Sequence, residues 1–244
     1  MNYRPLWCIL LPGLLCAEVL VYDLKWKGIR AGEARLKKTE SLCGNTRCLH
    51  YQSVAESLPG FARIYTVRDE VISHYDPRRK RTLFSQKLLR EGRYERRYRA
   101  WFDYRNSKIL YEESRGTGKV NKGESRPLPD PMLDMLSAFY VARELPLSLA
   151  AGQRYELHVY DDLKIIAMEV RVIKEGELVL DLNTGRQRFP AFLIQPAFAT
   201  SGFFRSQSPP RIWISKESGR IPLLLEADVP LAGRVDARLR SVQL

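Results

Sequence analysis

The chain has 244 residues, with 40 Lys and Arg against 28 Asp and Glu, a formal net charge of +12 and a pI near 9.7. With 45% hydrophobic and 28% charged residues the composition is globular, which excludes a disordered tail, a collagen-like rod, a polytopic membrane protein and a disulfide-only miniprotein. The length suits one large β domain, because all-β folds often reach roughly 200–250 residues as one unit.

Residues 1–17 read as a secretory signal: a short start with Arg4, the apolar run Leu6 to Leu11, a Pro12-Gly13 break, and Leu15-Cys16-Ala17 before a polar start. Cleavage is placed after Ala17, within a residue or two because Leu15 is larger than that position prefers. An uncleaved anchor is the alternative, but the apolar run falls well short of the ~20 residues that span a bilayer. The expected mature chain is an exported single β-rich domain over 18–244. Cys43 and Cys48 flank the turn dipeptide Gly44-Asn45, so in an oxidising compartment a structural disulfide across a hairpin is expected.

From Leu20 the chain alternates, with Leu20, Tyr22, Leu24 and Trp26 on one side and Val21, Asp23, Lys25 and Lys27 on the other, the pattern of a strand with one buried face. The texture continues through 49–56, and strands are predicted at 64–75, 81–90, 93–103, 107–115, 153–161, 163–174, 177–184, 187–195, 211–216, 221–229 and 233–242. Turn signals separate them, including Asp76-Pro77, Glu91-Gly92, Arg105-Asn106, Asp161-Asp162, Glu175-Gly176 and Ser218-Gly219. The expected fold is mainly β, an antiparallel meander forming a curved half-barrel or open barrel with one apolar helix packed on it. For that helix, Asp130 is the expected N-cap and Pro131 the first position, with Met132, Met135, Leu136, Phe139 and Tyr140 on its broad apolar surface. It either caps the core or lies over a concave sheet face as a lid. The Gly- and Pro-rich stretch 116–131 reads as a mobile loop, and 201–210 as a second long loop.

Eleven basic residues fall between Arg78 and Arg105, opposed by Glu91, Glu95 and Asp103 alone, so most of the net charge sits in a few neighbouring strands. In 93–103 one face carries Arg93, Glu95, Arg97, Arg99 and Trp101, and adjacent strands are expected to stack further guanidinium groups beside it. With Arg79 and Lys80 these residues are the candidates for binding an anionic surface, since guanidinium forks recognise oxyanions bidentately. The competing reading is an ordinary solvated sheet face that also discourages edge pairing. Export argues against nucleic acid as the partner. No G-x-S-x-G elbow, H-E-x-x-H helix or glycine-rich phosphate loop is present, so no catalytic residue, metal or cofactor is assigned. Asp161-Asp162 reads as a hairpin turn rather than a catalytic pair, and His50, His74 and His158 are too scattered along the chain to suggest a site.

The run Asp134-Met135-Leu136-Ser137-Ala138-Phe139-Tyr140-Val141-Ala142-Arg143, the tail Ile212-Trp213-Ile214-Ser215 with Gly233-Arg234-Val235-Asp236-Ala237-Arg238-Leu239, and the opening Tyr22-Asp23-Leu24-Lys25-Trp26 resemble the domain-of-unknown-function 3108 family. The Cys43–Cys48 pair is not part of the resemblance. The resemblance implies an exported bacterial β-rich protein and carries no functional residues. Together these readings favour a non-enzymatic periplasmic binding or carrier protein for an anionic amphiphile of the lipid, lipopolysaccharide or lipoprotein class. The alternatives are an envelope scaffold whose arginine face docks a protein or acidic glycan, and a cell-wall or lipid hydrolase.

Overall fold

Side-chain alternation, the period of two that a pleated strand imposes, organises most of this chain. The computed structural model describes residues 17–149, 154–198, 209–229 and 233–244, so all but the last residue of the expected signal and most of the 201–210 loop lie outside the described residues. The first half contains β1 (Glu18–Trp26), β2 (Ile29–Cys43), β3 (Thr46–Ser57), α1 (Pro59–Ala62), β4 (Arg68–Asp76), β5 (Arg81–Glu91), β6 (Tyr94–Asp103), β7 (Lys108–Arg115) and β8 (Asn121–Ser125). The second contains β9 (Leu133–Asp134), α2 (Met135–Glu144), β10 (Arg154–Asp161), β11 (Lys164–Leu182), β12 (Gly185–Phe198), β13 (Arg211–Ser215), β14 (Pro222–Val229) and β15 (Gly233–Gln243).

All strands form one sheet in the order β8-β7-β6-β5-β4-β3-β2-β1-β15-β14-β13-β12-β11-β10-β9. Two antiparallel meanders are therefore joined where the first strand pairs with the last, and among the described residues the only parallel pair is β9 with β10. Edge strands β8 and β9 do not pair with each other, so the barrel is open. Side-chain packing and a backbone hydrogen bond bring its two wings together instead: Tyr98, Phe102 and Ile109 pack with Leu128, Met132 and Tyr160, and the Thr82 amide donates to the Met132 carbonyl at 2.9 Å. The distal part of the β11–β12 hairpin folds back, with Leu180 and Phe189 packed against Leu20, Tyr22, Leu223 and Leu239. Cys43 and Cys48 form the expected disulfide at the β2–β3 hairpin, their Cα atoms 5.9 Å apart.

Helix α2 is fastened at both ends. At its start the buried Asp134 carboxylate accepts from the amides of Leu136 (2.9 Å) and Ser137 (3.3 Å), the N-cap pattern, and from the hydroxyls of Ser73, Thr82 (2.8 Å) and Ser137 (2.7 Å). In its last turn the buried Arg143 makes a two-pronged pair with Glu18 at 2.7 and 2.6 Å and donates to the carbonyls of Gly219 (2.7 Å) and Arg220 (3.1 Å). Between these points Leu136, Ala138, Tyr140 and Ala142 enter the principal core, where Tyr140 stacks on Tyr51 with centroids 4.0 Å apart.

Four expectations are corrected. The helix N-cap is Asp134, not Asp130. Leu133 and Asp134 run extended as β9, where the Thr82 amide takes the Met132 carbonyl and the Asp134 amide donates to the Thr82 hydroxyl at 2.9 Å. The stretch 116–131 is not simply a loop, since β8 pairs with β7. Glu175-Gly176 is not a turn. β11 runs 19 residues through it beside β12, and Gly176 gives room to the Trp213 ring, 3.3 Å from where a Cβ would stand. The strand expected at 64–75 starts at Arg68, after the short α1.

Asp134→Ala should cost ~3 kcal/mol or more, because it removes a cap and leaves several buried donors without an acceptor. Denaturant titration should show a lower midpoint with a smaller loss for Asp134→Asn, which retains one carbonyl oxygen.

Candidate functional site

A cavity of about 400 Å³ lies between α2 and the concave side of the sheet. From the helix it is lined by Met135, Leu136, Phe139 and Ala142, and from the strands by residues that alternation points inward, including Leu36 and Val71 on one wing and Val170, Ile194, Ile212 and Leu225 on the other. Tyr22 contributes ring surface while its hydroxyl donates to the Pro222 carbonyl at 2.9 Å, and burial pushes that phenol up so that it stays a neutral donor. Among the described lining residues the charged ones are Lys87 and Asp161. The arrangement suits sequestration of apolar matter with one polar end.

Those two charges belong to an ionic network that spans the open side of the barrel. Lys87 on β5 is paired with Asp161 at the end of β10, and Arg96 on β6 meets Asp162 at 2.6 Å and Glu113 on β7 at 2.9 Å. Asp162 and Leu163 form the β10–β11 turn with φ of 46° and 63°, the left-handed pair of a tight two-residue hairpin. Burial pushes the Asp161 carboxyl up, and the Lys87 ammonium opposes that shift. Burial also works against the Arg96 charge, but Asp162 and Glu113 outweigh it and hold the guanidinium above its ordinary range. The turn at Asp161-Asp162 was legible in the sequence; its cationic partners, more than sixty residues away, were not.

The sequence candidates divide between places. Met135, Leu136 and Phe139 line the cavity, whereas Met132 lies outside α2, fully buried where the two wings meet, and Tyr140 is stacked in the core. On β6, Arg97, Arg99 and Trp101 are exposed on the outer face, and Arg93 is exposed in the turn before it. Arg79 and Lys80 are exposed in the β4–β5 turn, at the opposite end of these strands. Neighbouring strands do not stack further guanidinium groups beside Arg97 and Arg99: Leu88 and Ser114 flank the first, Gln86 and Glu112 the second. Of the eleven clustered cations, Arg81, Lys87 and Arg96 are consumed internally, Arg81 by Asp130 at 2.5 Å and by the Tyr104 ring.

Two histidines that looked scattered are neighbours. The register of β3 against β4 sets His50 opposite His74, with His74 Nε2 3.1 Å from His50 Nδ1. The rings continue a row across the outer face, His74 to Phe84 at 5.4 Å and Phe84 to Trp101 at 5.6 Å between centroids. Among the described residues no group of three or more His, Cys, Asp or Glu is placed to hold a metal ion. No helix among them is long and apolar enough to cross a membrane.

Residues 21–240 match the family described as protein of unknown function DUF3108. The chain belongs to this family. No curated protein matches it. Among solved structures it is similar to the β-barrel-like protein of domain of unknown function DUF1849 from Brucella abortus, at 14% identity and a TM-score of 0.57, covering 94% of this chain and 98% of that one. At that identity the likeness shows a shared fold alone, a curved sheet wrapped into an open barrel, in a DUF3108 chain whose site must be read from its own residues.

Burial holds the pKa of His50 below its ordinary value, with Lys37 adding to the effect and Glu70 opposing it; burial and His50 do the same to His74. Both must take up protons on unfolding in acid, so their contribution is present above about pH 6.5 and lost as pH falls below it. The melting temperature should drop between neutral pH and about pH 5, and His74→Phe, which keeps a ring in the row, should show a shallower drop.

Proposed function

We propose that this protein is a non-enzymatic binding or carrier protein of the cell envelope that shelters the apolar part of an amphiphile beneath α2. The observation that carries the reading is the cavity, whose volume of about 400 Å³ lies within the roughly 300–1,000 Å³ usual for small-molecule sites and whose lining is almost wholly apolar. A scaffold whose function lay only on its exterior would gain stability from filling that space, since unfilled apolar volume costs free energy. The paired charges Lys87 and Asp161 mark the polar end of the cavity, at which the head of an amphiphile would sit. The Cys43–Cys48 disulfide agrees with an exported protein, and the periplasm is the compartment proposed.

One element of the sequence expectation changes. The apolar interior and the arginine face lie on opposite sides of the same sheet, so a single ligand does not use both: Lys87 and Leu89 face the cavity while their neighbour Leu88 pairs outward with Arg97.

The test is to purify the protein from its native compartment and identify bound amphiphiles by native mass spectrometry and lipid extraction. A stoichiometric amphiphile is expected. Replacing Ala34 and Ala227, both in the cavity wall, by Phe should displace it and reduce uptake of a fluorescent fatty-acid probe about tenfold or more, while a cooperative melt shows that the fold persists. Ligand-free protein, with equal probe uptake by the wild type and the Phe variant, would sink the reading.

A further inference from the structure

The outer face of β3 to β7 carries a feature that the cavity does not explain. One cross-strand row consists of His50, His74, Phe84, Trp101 and Leu110, placed side by side by the pairings of five consecutive strands. Trp101 and Leu110 at its end are each 38% exposed, and the rings before them touch in series. An aromatic and aliphatic stripe on the convex side contributes nothing to the core beneath α2, because alternation turns it the other way.

Cations border this stripe on both sides. Toward one end of the strands, the β4–β5 and β6–β7 turns present Arg78, Arg79, Lys80 and Arg105, all exposed and none in an ion pair among the described residues. On the other side stand Arg97, also exposed and in no ion pair among the described residues, and Arg99, whose guanidinium donates to the neutral Gln86 at 2.9 Å. Of the nearby carboxylates, Glu95 is engaged by Arg90 (3.9 Å), Glu112 by Lys122 (2.6 Å) and Glu124 by Lys108 and Arg126 (3.3 and 2.9 Å), while Glu70, opposite Leu88, is in no ion pair among the described residues and accepts from the Gln52 side-chain amide at 2.5 Å, one negative charge against the several cations. The unpaired excess is therefore positive. Protection of an exposed edge does not account for it, because β6 is hydrogen-bonded on both sides.

We propose that this face docks on the surface of an anionic phospholipid bilayer. Tryptophan settles at the level of the headgroups, where an apolar body with a polar tip is best solvated, and Arg and Lys beside it meet lipid phosphates. A soluble polyanion would satisfy the arginines but leave the Phe84–Trp101–Leu110 stripe in water. That stripe decides for a membrane over a free acidic chain. The proposal stands independently of the cavity reading, since it concerns the opposite face of the sheet and its test uses no internal ligand.

The experiment is co-sedimentation of the purified protein with phosphatidylcholine vesicles, with and without phosphatidylglycerol, at low and raised salt. Binding is expected only with phosphatidylglycerol and should weaken with salt. Each cation near such a surface contributes a factor of about five, so Arg97→Gln with Arg99→Gln should lower the partition coefficient about 30-fold. Brominated lipid should quench tryptophan emission in the wild type, and Trp101→Phe should remove most of that quenching. These side chains are exposed, so unchanged melting of the variants separates docking from folding. Equal binding to neutral and anionic vesicles, or unchanged partition of the double variant, would overturn the proposal. So would tight binding to heparin without lipid quenching, which would assign the face to a polyanionic chain.

Discussion

The cavity exists because α2 is held across the concave sheet in one register, and that register depends on the carboxylate of Asp134. A buried carboxylate is costly unless donors surround it. Here they come from the helix it caps, through Leu136 and Ser137, and from two strands below, through Ser73 and Thr82. At the other end the Arg143–Glu18 pair ties the helix to the first strand and to the turn at Gly219. Apolar contacts between these points are non-directional and tolerate sliding; the polar ends do not. With both ends fixed and Tyr140 stacked on Tyr51, the Met135 and Phe139 side of the helix borders apolar space.

The open barrel follows a similar division of labour. Backbone ladders build two meanders and join them through β1 and β15, but no ladder links β8 to β9. The remaining gap is spanned mainly by side chains, with Tyr160 and Met132 packed with Tyr98, Phe102 and Ile109 and with Lys87 and Arg96 reaching the β10–β11 turn, beside the single Thr82–Met132 backbone hydrogen bond. Such closure is local and ionic at the cavity's polar end, where Lys87 and Asp161 also form part of the lining. The same sheet separates two chemistries, with an apolar cavity of about 400 Å³ on one side and, on the other, an aromatic stripe bordered by cations that have no ion pair among the described residues.

Legibility in the sequence tracked the range of the interaction. In β6 the sides were readable residue by residue, since burial of Arg96, Tyr98, Ala100 and Phe102 against exposure of Arg97, Arg99 and Trp101 is the period of two itself. The Cys43–Cys48 bridge across a five-residue separation was readable for the same reason. Asp130-Pro131 mimicked a helix start because capping and proline preferences are local, whereas the true cap is chosen by Ser73 and Thr82, more than fifty residues away. Glu175-Gly176 mimicked a turn, but its glycine serves the close approach of Trp213.

From the chain alone came the β class, the presence of one apolar helix, the disulfide and the concentration of arginines in a few strands, all consequences of periodicity and spacing among near neighbours. Only the tertiary structure decided that His50 meets His74, that Lys87 and Arg96 are spent on Asp161 and Asp162, and that the apolar cavity and the cationic face turn their backs on each other. Strand register and sheet curvature bring those groups together, and both are set by packing across the whole molecule rather than by any window of sequence.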